Sequence, residues 1–194
     1  MDGVFIGGCH LNECHYITDG NHHAYAMVQI CKKLLGHIGV NPERLRIEQV
    51  SAGEGIRFAE VMNDFSRKIR ELGRLGKAEG IEEETLKFRL TSATGLIPYI
   101  RLVERERLRV RLNSAEEYAE YFSTDEVNKL FRELIAEKLS ISEIMAILRE
   151  NPRSTGEISR ILGIAPSEVS RHLSISAKQG LTRFDESRKR FVAV

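Results

Sequence analysis

The sequence predicts an α/β unit, a small parallel sheet that is an incomplete doubly wound layer, followed by an all-α connector and a winged helix-turn-helix domain. Three observations carry this. Short β-like and longer helix-like apolar patterns alternate over the first third of the chain, as in units that build a parallel sheet with helical crossovers. From about residue 114 the apolar period is helical almost throughout. Near the end, two short amphipathic segments flank Gly163 and a hairpin-like stretch follows, the order of a helix-turn-helix with a wing.

The first pattern opens with Val4-Phe5-Ile6, bounded by Gly7-Gly8, which reads as a buried strand ending in a tight turn. A parallel strand this close to position 1 calls for a neighbouring chain to cover it, or for a preceding portion that is absent. A loop with Cys9, His10, Cys14 and His15 comes next. Asp19-Gly20-Asn21 then caps a helix from about His22 to His37, with Ala24, Met27, Cys31, Leu34 or Leu35, and Ile38 on its apolar face. Cys31 reads as a buried small hydrophobe. Gly39 and Asn41-Pro42 end that helix, and Leu45 to Val50 alternates as a second strand. Ser51 and Glu54 have capping-box spacing for a helix whose face carries Phe58, Val61, Met62, Phe65, Ile69 and Leu72, stopped by Gly73.

Residues 74–80 are polar and glycine-containing, a linker by composition. In the connector, Leu86, Leu90, Ala93 and Ile97 suit a helix, Leu108 to Leu112 alternates like a strand, and the mixed charges of 104–111 read as a solvated face. Ser114 caps a helix to Phe122, Ser123 or Thr124 caps one from Asp125 to Lys138, and a further helix runs from Ile141 to Glu150 before Asn151-Pro152. The division predicted is 1–73, 74–113 and 114–194, with the winged unit at about 141–194.

Composition narrows the function classes. The 194 residues carry 29 basic and 28 acidic side chains, so no global field draws in nucleic acid or an anionic membrane. No apolar run approaches the roughly 20 residues that span a bilayer. Three cysteines without a disulfide-framework spacing and no recognisable leader favour a reducing, cytoplasmic setting. No nucleophile–base set, phosphate loop or carboxylate pair stands out, which points away from independent turnover.

The chemistry is in the loop. Thiolates select zinc, copper(I) and iron–sulfur centres, and a four-residue gap between cysteines occurs in two-iron two-sulfur sites. Cys9 and Cys14 are therefore candidate metal ligands, two of the about four that either centre needs. His10 and His15 are candidate donors to the sulfurs from the surrounding shell. Zinc held by Cys9, Cys14 and one or two of His15, His22 and His23 is the alternative. His22 and His23 otherwise read as neutral and exposed, since positive charge at a helix start opposes the dipole.

Residues 2–73 resemble the delta, iron–sulfur subunit of methyl-viologen-reducing hydrogenases. The resemblance rests on Asp2-Gly3-Val4-Phe5-Ile6-Gly7-Gly8-Cys9-His10, Cys14-His15-Tyr16, Gly20-Asn21, Pro42-Glu43-Arg44, and Ser51-Ala52-Gly53-Glu54-Gly55 with Phe58. It implies a two-iron two-sulfur subunit that relays electrons between a hydrogenase or formate dehydrogenase and the flavin subunit of heterodisulfide reductase, in an electron-bifurcating hetero-oligomer. Asn12 and Glu13 stand where the family has Gly and Asp, the Tyr16–Gly20 loop is one residue longer, and the basic residues common in the following helix are missing. Family members also carry an N-terminal portion with further cysteines, so that either a partner chain supplies the remaining ligands or the site is vestigial and the subunit a structural adaptor.

Residues from about 141 resemble winged helix-turn-helix regulators, on Ser154-Thr155-Gly156-Glu157-Ile158 and Val169-Ser170-Arg171-His172-Leu173. Ser176 takes the place of a core Leu, with Ile175 to compensate. DNA reading would use Ser167, Ser170, Arg171 and His172 in the groove and Arg183, Arg188, Lys189 and Arg190 on phosphates. With nine basic against six acidic residues from Ile141 on, docking to protein is favoured over DNA. The competing function is a redox- or metal-responsive transcription regulator.

Overall fold

A computed structural model of the chain describes residues 1–11, 13–16 and 19–194. Strand β1 (Val4–Gly8) pairs in parallel with β2 (Leu45–Gln49), Val4 opposite Leu45 and Gly8 opposite Gln49. Parallel neighbours need a crossover, and helix α1 (Asn21–His37) supplies it. At φ +83° Gly39 takes the left-handed turn that ends the helix, a conformation that would strain a side chain. Asn41 Oδ1 then accepts the Glu43 N–H at 2.9 Å to start the short turn into β2.

Arg44 fastens this unit together. Its guanidinium, 3% exposed, pairs with Glu79 and donates to the carbonyls of Asp2 (2.9 Å) and Gly73 (2.8 Å). Glu79 also accepts the Gly76 N–H at 2.8 Å. The polar segment expected as a linker is thus folded back onto the sheet.

The α1 face that is buried runs Tyr25, Val28, Ile30, Leu34 and Ile38, whereas Ala24, Met27 and Cys31 of the expected face are only half-buried. Cys31 instead lines an apolar cavity of about 300 Å³ with Val4, Leu34, Leu90 and Ile97, and burial pushes its thiol pKa up. Helix α2 (Gly55–Leu72) begins later than expected, with Glu54 as its N-cap residue. Only Phe65 of its apolar face is buried, and Phe58 is 47% exposed. Two strands are too narrow to cover an 18-residue helix, so Phe5 alone meets both the Phe58 and Phe65 rings, at 6.3 and 5.7 Å.

Helices α3 (Glu83–Gly95) and α4 (Ile97–Val103) lead into a π-helical turn, Glu104–Leu108. Residues 109–112 join no strand. Leu108 is enclosed, 1% exposed, Val110 and Leu112 are half-buried, and Arg109 between them reaches Glu104 at 2.8 Å. Ser114 caps α5 (Ala115–Ser123) through the Glu117 N–H at 3.1 Å, and Thr124 caps α6 (Asp125–Phe131). A π-helical turn, Arg132–Ala136, carries the chain directly into α7 (Glu137–Glu150). The expected break before Ile141 is absent, since no Gly or Pro interrupts the run.

A capping box at Ser154 and Glu157 opens α8 (Thr155–Leu162), Gly163 ends it in the left-handed region, and α9 (Pro166–Lys178) follows. Strands β3 (Thr182–Asp185) and β4 (Arg190–Ala193) form an antiparallel hairpin, and Arg153 exchanges backbone hydrogen bonds with Phe191 at 3.1 and 2.8 Å. Two apolar clusters hold the chain. One extends from Leu11 through α1 and α3–α6 to Leu139; the other gathers Ile144, Leu148, Ile158, Leu162, Val169 and Leu173. Burying each such Leu or Ile contributes about 1.5–3 kcal/mol. No helix among the described residues is long and apolar enough to cross a membrane.

Candidate metal centre

The site lies where β1 and β2 end. The Val50 N–H donates to the Gly8 carbonyl at 2.8 Å, holding the two following loops side by side. His10 Nε2 meets Glu54 Oε2 at 2.7 Å across them, and the same oxygen accepts the Ser51 N–H at 2.7 Å. The Ser51 N–H, and then His10, hold the Glu54 pKa down at about 2, and Glu54 raises that of His10. Ser51 and Glu54 thus make one half of the expected capping box, but Glu54 also closes a latch between the loops. His10 gives its Nε2 to this carboxylate.

Cys9 and Cys14 are free thiols, both half-buried. The backbone N–H groups of Asn21 and Tyr16 favour the Cys14 thiolate and lower its pKa, while burial and then Cys14 raise that of Cys9. The start of α1 therefore sets the two sulfurs apart, with Cys14 the more easily ionised of the pair. Asn21, 6% exposed, donates its amide to the His10 carbonyl at 2.6 Å and reaches the Cys9 carbonyl at 3.4 Å and Sγ at 3.9 Å. Its Oδ1 is buried without a partner. Gly20 is obligatory, because a Cβ there would press into the Tyr16 carbonyl oxygen and lie 2.5 Å from Cys14 Sγ.

The histidines disperse. His15 stacks edge-on against Tyr16. His22 Nδ1 donates to Tyr118 Oη at 3.0 Å, since that hydroxyl gives its own proton to the Val110 carbonyl at 3.0 Å; burial lowers the His22 pKa. His22 is thus half-buried and bonded rather than exposed. His23 Nδ1 is 3.0 Å from Glu104 Oε2, which also receives Arg109 Nη2 at 2.8 Å. Glu104, at 0% exposure, is the opposite of the solvated charge expected for 104–111. A charge run looks solvated unless its partners are known, here His23, 81 residues away, and Arg109, five residues on.

Among the described residues no set of three or more His, Cys, Asp or Glu side chains is arranged to hold a metal. Two thiols therefore do not by themselves fit a four-ligand centre, whether iron–sulfur or zinc. Asn12 and the 17–18 part of the lengthened loop lie outside the described residues.

In the C-terminal half, His172 is 0% exposed and both ring nitrogens lack hydrogen-bond partners, so it is no groove-reading residue. Burial lowers its pKa. Arg171 is ion-paired with Glu137, and Arg190 with Glu157 at 2.9 Å. Ser176 is likewise enclosed, with its hydroxyl unpaired, in the place where a core Leu was expected.

A thiol-bearing β-α-β layer joined to a helix-turn-helix unit is the class of protein that this architecture defines. Residues 1–73 match the family described as methyl-viologen-reducing hydrogenase, delta subunit, and residues 140–181 match the bacterial regulatory protein, arsR family. An iron-sulfur subunit of the F420-non-reducing hydrogenase of Archaeoglobus profundus is 50% identical over 72 residues, 37% of this chain and 52% of that protein. The vhc iron-sulfur subunit of the F420-non-reducing hydrogenase of Methanococcus voltae is 43% identical over a stretch of the same length, 49% of that protein. One subunit of the ferredoxin/F(420)H(2)-dependent CoB-CoM heterodisulfide reductase of Methanosarcina acetivorans is 40% identical over 91 residues, 43% of this chain but 11% of the relative. The chain thus spans about half the length of these hydrogenase subunits and a small part of the reductase subunit. No solved structure matches.

Proposed function

We propose that this chain is an accessory electron-transfer or adaptor subunit of a heterodisulfide reductase-type, flavin-based electron-bifurcating complex in the cytoplasm. It would stand between a hydrogenase or formate dehydrogenase module and the heterodisulfide reductase flavin subunit. The carrying observation is that similar sequence occurs both as part of separate hydrogenase iron-sulfur subunits and inside a much larger heterodisulfide reductase chain. A segment that serves either as a separate subunit or as part of the larger chain is suited to dock there.

Cys9 and Cys14 supply two thiolates, so a two-iron two-sulfur cluster here takes its remaining ligands from outside the described residues, with the partner chains as the source. The chain's own part is to hold the loop: Asn21 and the start of α1 set the sulfurs, and the His10–Glu54 latch fixes one loop on the other. We read the division as 1–73, 74–113 and 114–194, with β3–β4 and Arg153 forming the wing of a winged unit over about 141–194 that anchors the assembly.

Purification of the tagged chain from its native cells, with iron and acid-labile sulfide analysis, tests this. Reductase and hydrogenase or formate dehydrogenase subunits should co-purify with cluster iron that is lost in Cys9→Ala and Cys14→Ala. Zinc at one per chain, lost in the same variants, would replace the cluster with the alternative metal. The arsR-family match favours a second reading, a redox- or metal-responsive winged-helix regulator. Isolation as a free oligomer that shifts promoter DNA with steep salt dependence would establish it and remove the subunit reading.

A further inference from the structure

Far along the chain from the cysteine loop, three arginines line one cavity. Arg153, Arg188 and Arg190, with Asn151 and Pro152, bound a space of about 530 Å³ between the α7–α8 turn and the hairpin. Its walls are fixed by backbone: Arg153 is bonded in both directions to Phe191, and Arg190 Nη1 donates to the Pro152 carbonyl at 3.2 Å.

The nearby carboxylates are already engaged. Glu157 accepts the Ser154 N–H at 2.8 Å and Arg190 Nη2 at 2.9 Å, with Arg153 Nη1 at 3.9 Å. Asp185 accepts the Ser187 N–H at 2.9 Å and its hydroxyl at 2.6 Å, leaving Arg188 Nε at 3.8 Å. Three guanidiniums thus meet two carboxylates, and Arg153 Nε is closed off from solvent without a hydrogen-bond partner. The surplus at the cavity is positive charge.

We propose that this cavity binds a phosphate dianion, as inorganic phosphate or as the terminal group of a phosphate monoester. One guanidinium already saturates a carboxylate in a bidentate pair. Three of them around one space match a group with three acceptor oxygens and a charge of about −1.5 to −2. A backbone phosphodiester carries a single charge and matches less well. The arsR-family match ends at residue 181, before the two arginines of the hairpin, so the site lies partly outside the matched stretch.

Calorimetric titration of the full chain with inorganic phosphate, and separately with adenosine monophosphate, at ionic strength matched by chloride tests this. Saturable binding by both is expected, or by the monoester alone if it is the source. Arg188→Gln and Arg153→Gln should each weaken it about tenfold or more, the loss of a charge-assisted hydrogen bond. Arg188 is largely exposed, so its replacement leaves the fold intact, and Lys189→Gln on the same turn should leave binding unchanged. No heat above the chloride control, or an equal loss in Lys189→Gln, overturns the proposal. So does duplex DNA binding that Arg188→Gln weakens but excess phosphate does not compete away, because the arginines would then contact a diester.

Discussion

Replacing Glu143 by Gln should stabilise the protein at alkaline pH and leave it nearly unchanged in acid. Glu143 lies on α7 at 9% exposure, and burial pushes its carboxyl pKa from the ordinary 4.5 up to about 7. Arg89 opposes that shift only in part, its Nη1 being engaged by the Ile38 carbonyl at 2.9 Å. Between those two pH values the folded chain holds a proton that the unfolded chain has released, so stability from this group falls as pH rises through that window and is lowest above it. The difference between the two values corresponds to about 3 kcal/mol at about 1.4 kcal/mol per unit. Gln keeps the volume and carries no charge to desolvate. Urea unfolding of both proteins should therefore show Glu143→Gln more stable by about 2–3 kcal/mol at pH 8, or about 4–12 °C in Tm, with the curves converging near pH 5. A constant offset at every pH, or a wild-type chain that gains on the variant as pH rises from 5 to 8, would refute the reasoning.

Glu104→Ala removes the buried carboxylate that accepts from Arg109 and meets His23 and should cost about 1.5–3 kcal/mol in urea unfolding, the range for a lost hydrogen bond to a charged group, since Asp19 still lies 3.6 Å from Arg109. Ser176→Ala removes an enclosed hydroxyl without a partner and should be neutral or stabilising by up to about 1–2 kcal/mol in the same assay; a loss above that range would mean the hydroxyl is bonded. Gly20→Ala forces the loop away from Cys14 and the Tyr16 carbonyl, so alkylation of the thiols should change rate markedly and Tm should fall. Unaltered alkylation would show that the loop does not need a bare backbone there.

Much of this fold was legible because its signals are local. Ser114, Thr124, Ser154 and Gly163 each act within a few residues of themselves, and each begins or ends the helix that its chemistry predicts. The parallel pairing of β1 and β2 followed from strand–helix–strand alternation. What escaped depends on distant partners. Phe58 has the spacing of a core residue and stays half exposed because, among the described residues, no third strand joins β1 and β2 to cover it. Glu104 has the surroundings of a surface charge and is buried because His23 and Arg109 meet it. The same rule applies at the loop: Cys9 and Cys14 announce themselves by type and spacing, but Asn21, which reads simply as part of a helix cap, is the residue whose amide reaches the backbone of Cys9 and His10. Likewise His172 occupies a position where groove-reading side chains are expected, yet α9 turns it inward.

The helical run from Asp125 through the π turn to Glu150 contributes Phe131 and Leu139 to one apolar cluster and Ile144 and Leu148 to the other. At 1.5 Å per residue such a rod is on the order of 40 Å long. It works as a strut. In the assembly proposed above, a partner that grips α8, α9 and the hairpin would acquire, without further contacts, a set distance and bearing for the sulfur-bearing loop. Altering that bearing requires bending the strut, and the wide turn at Arg132–Ala136 is where its hydrogen-bond ladder departs from the α-helical pattern.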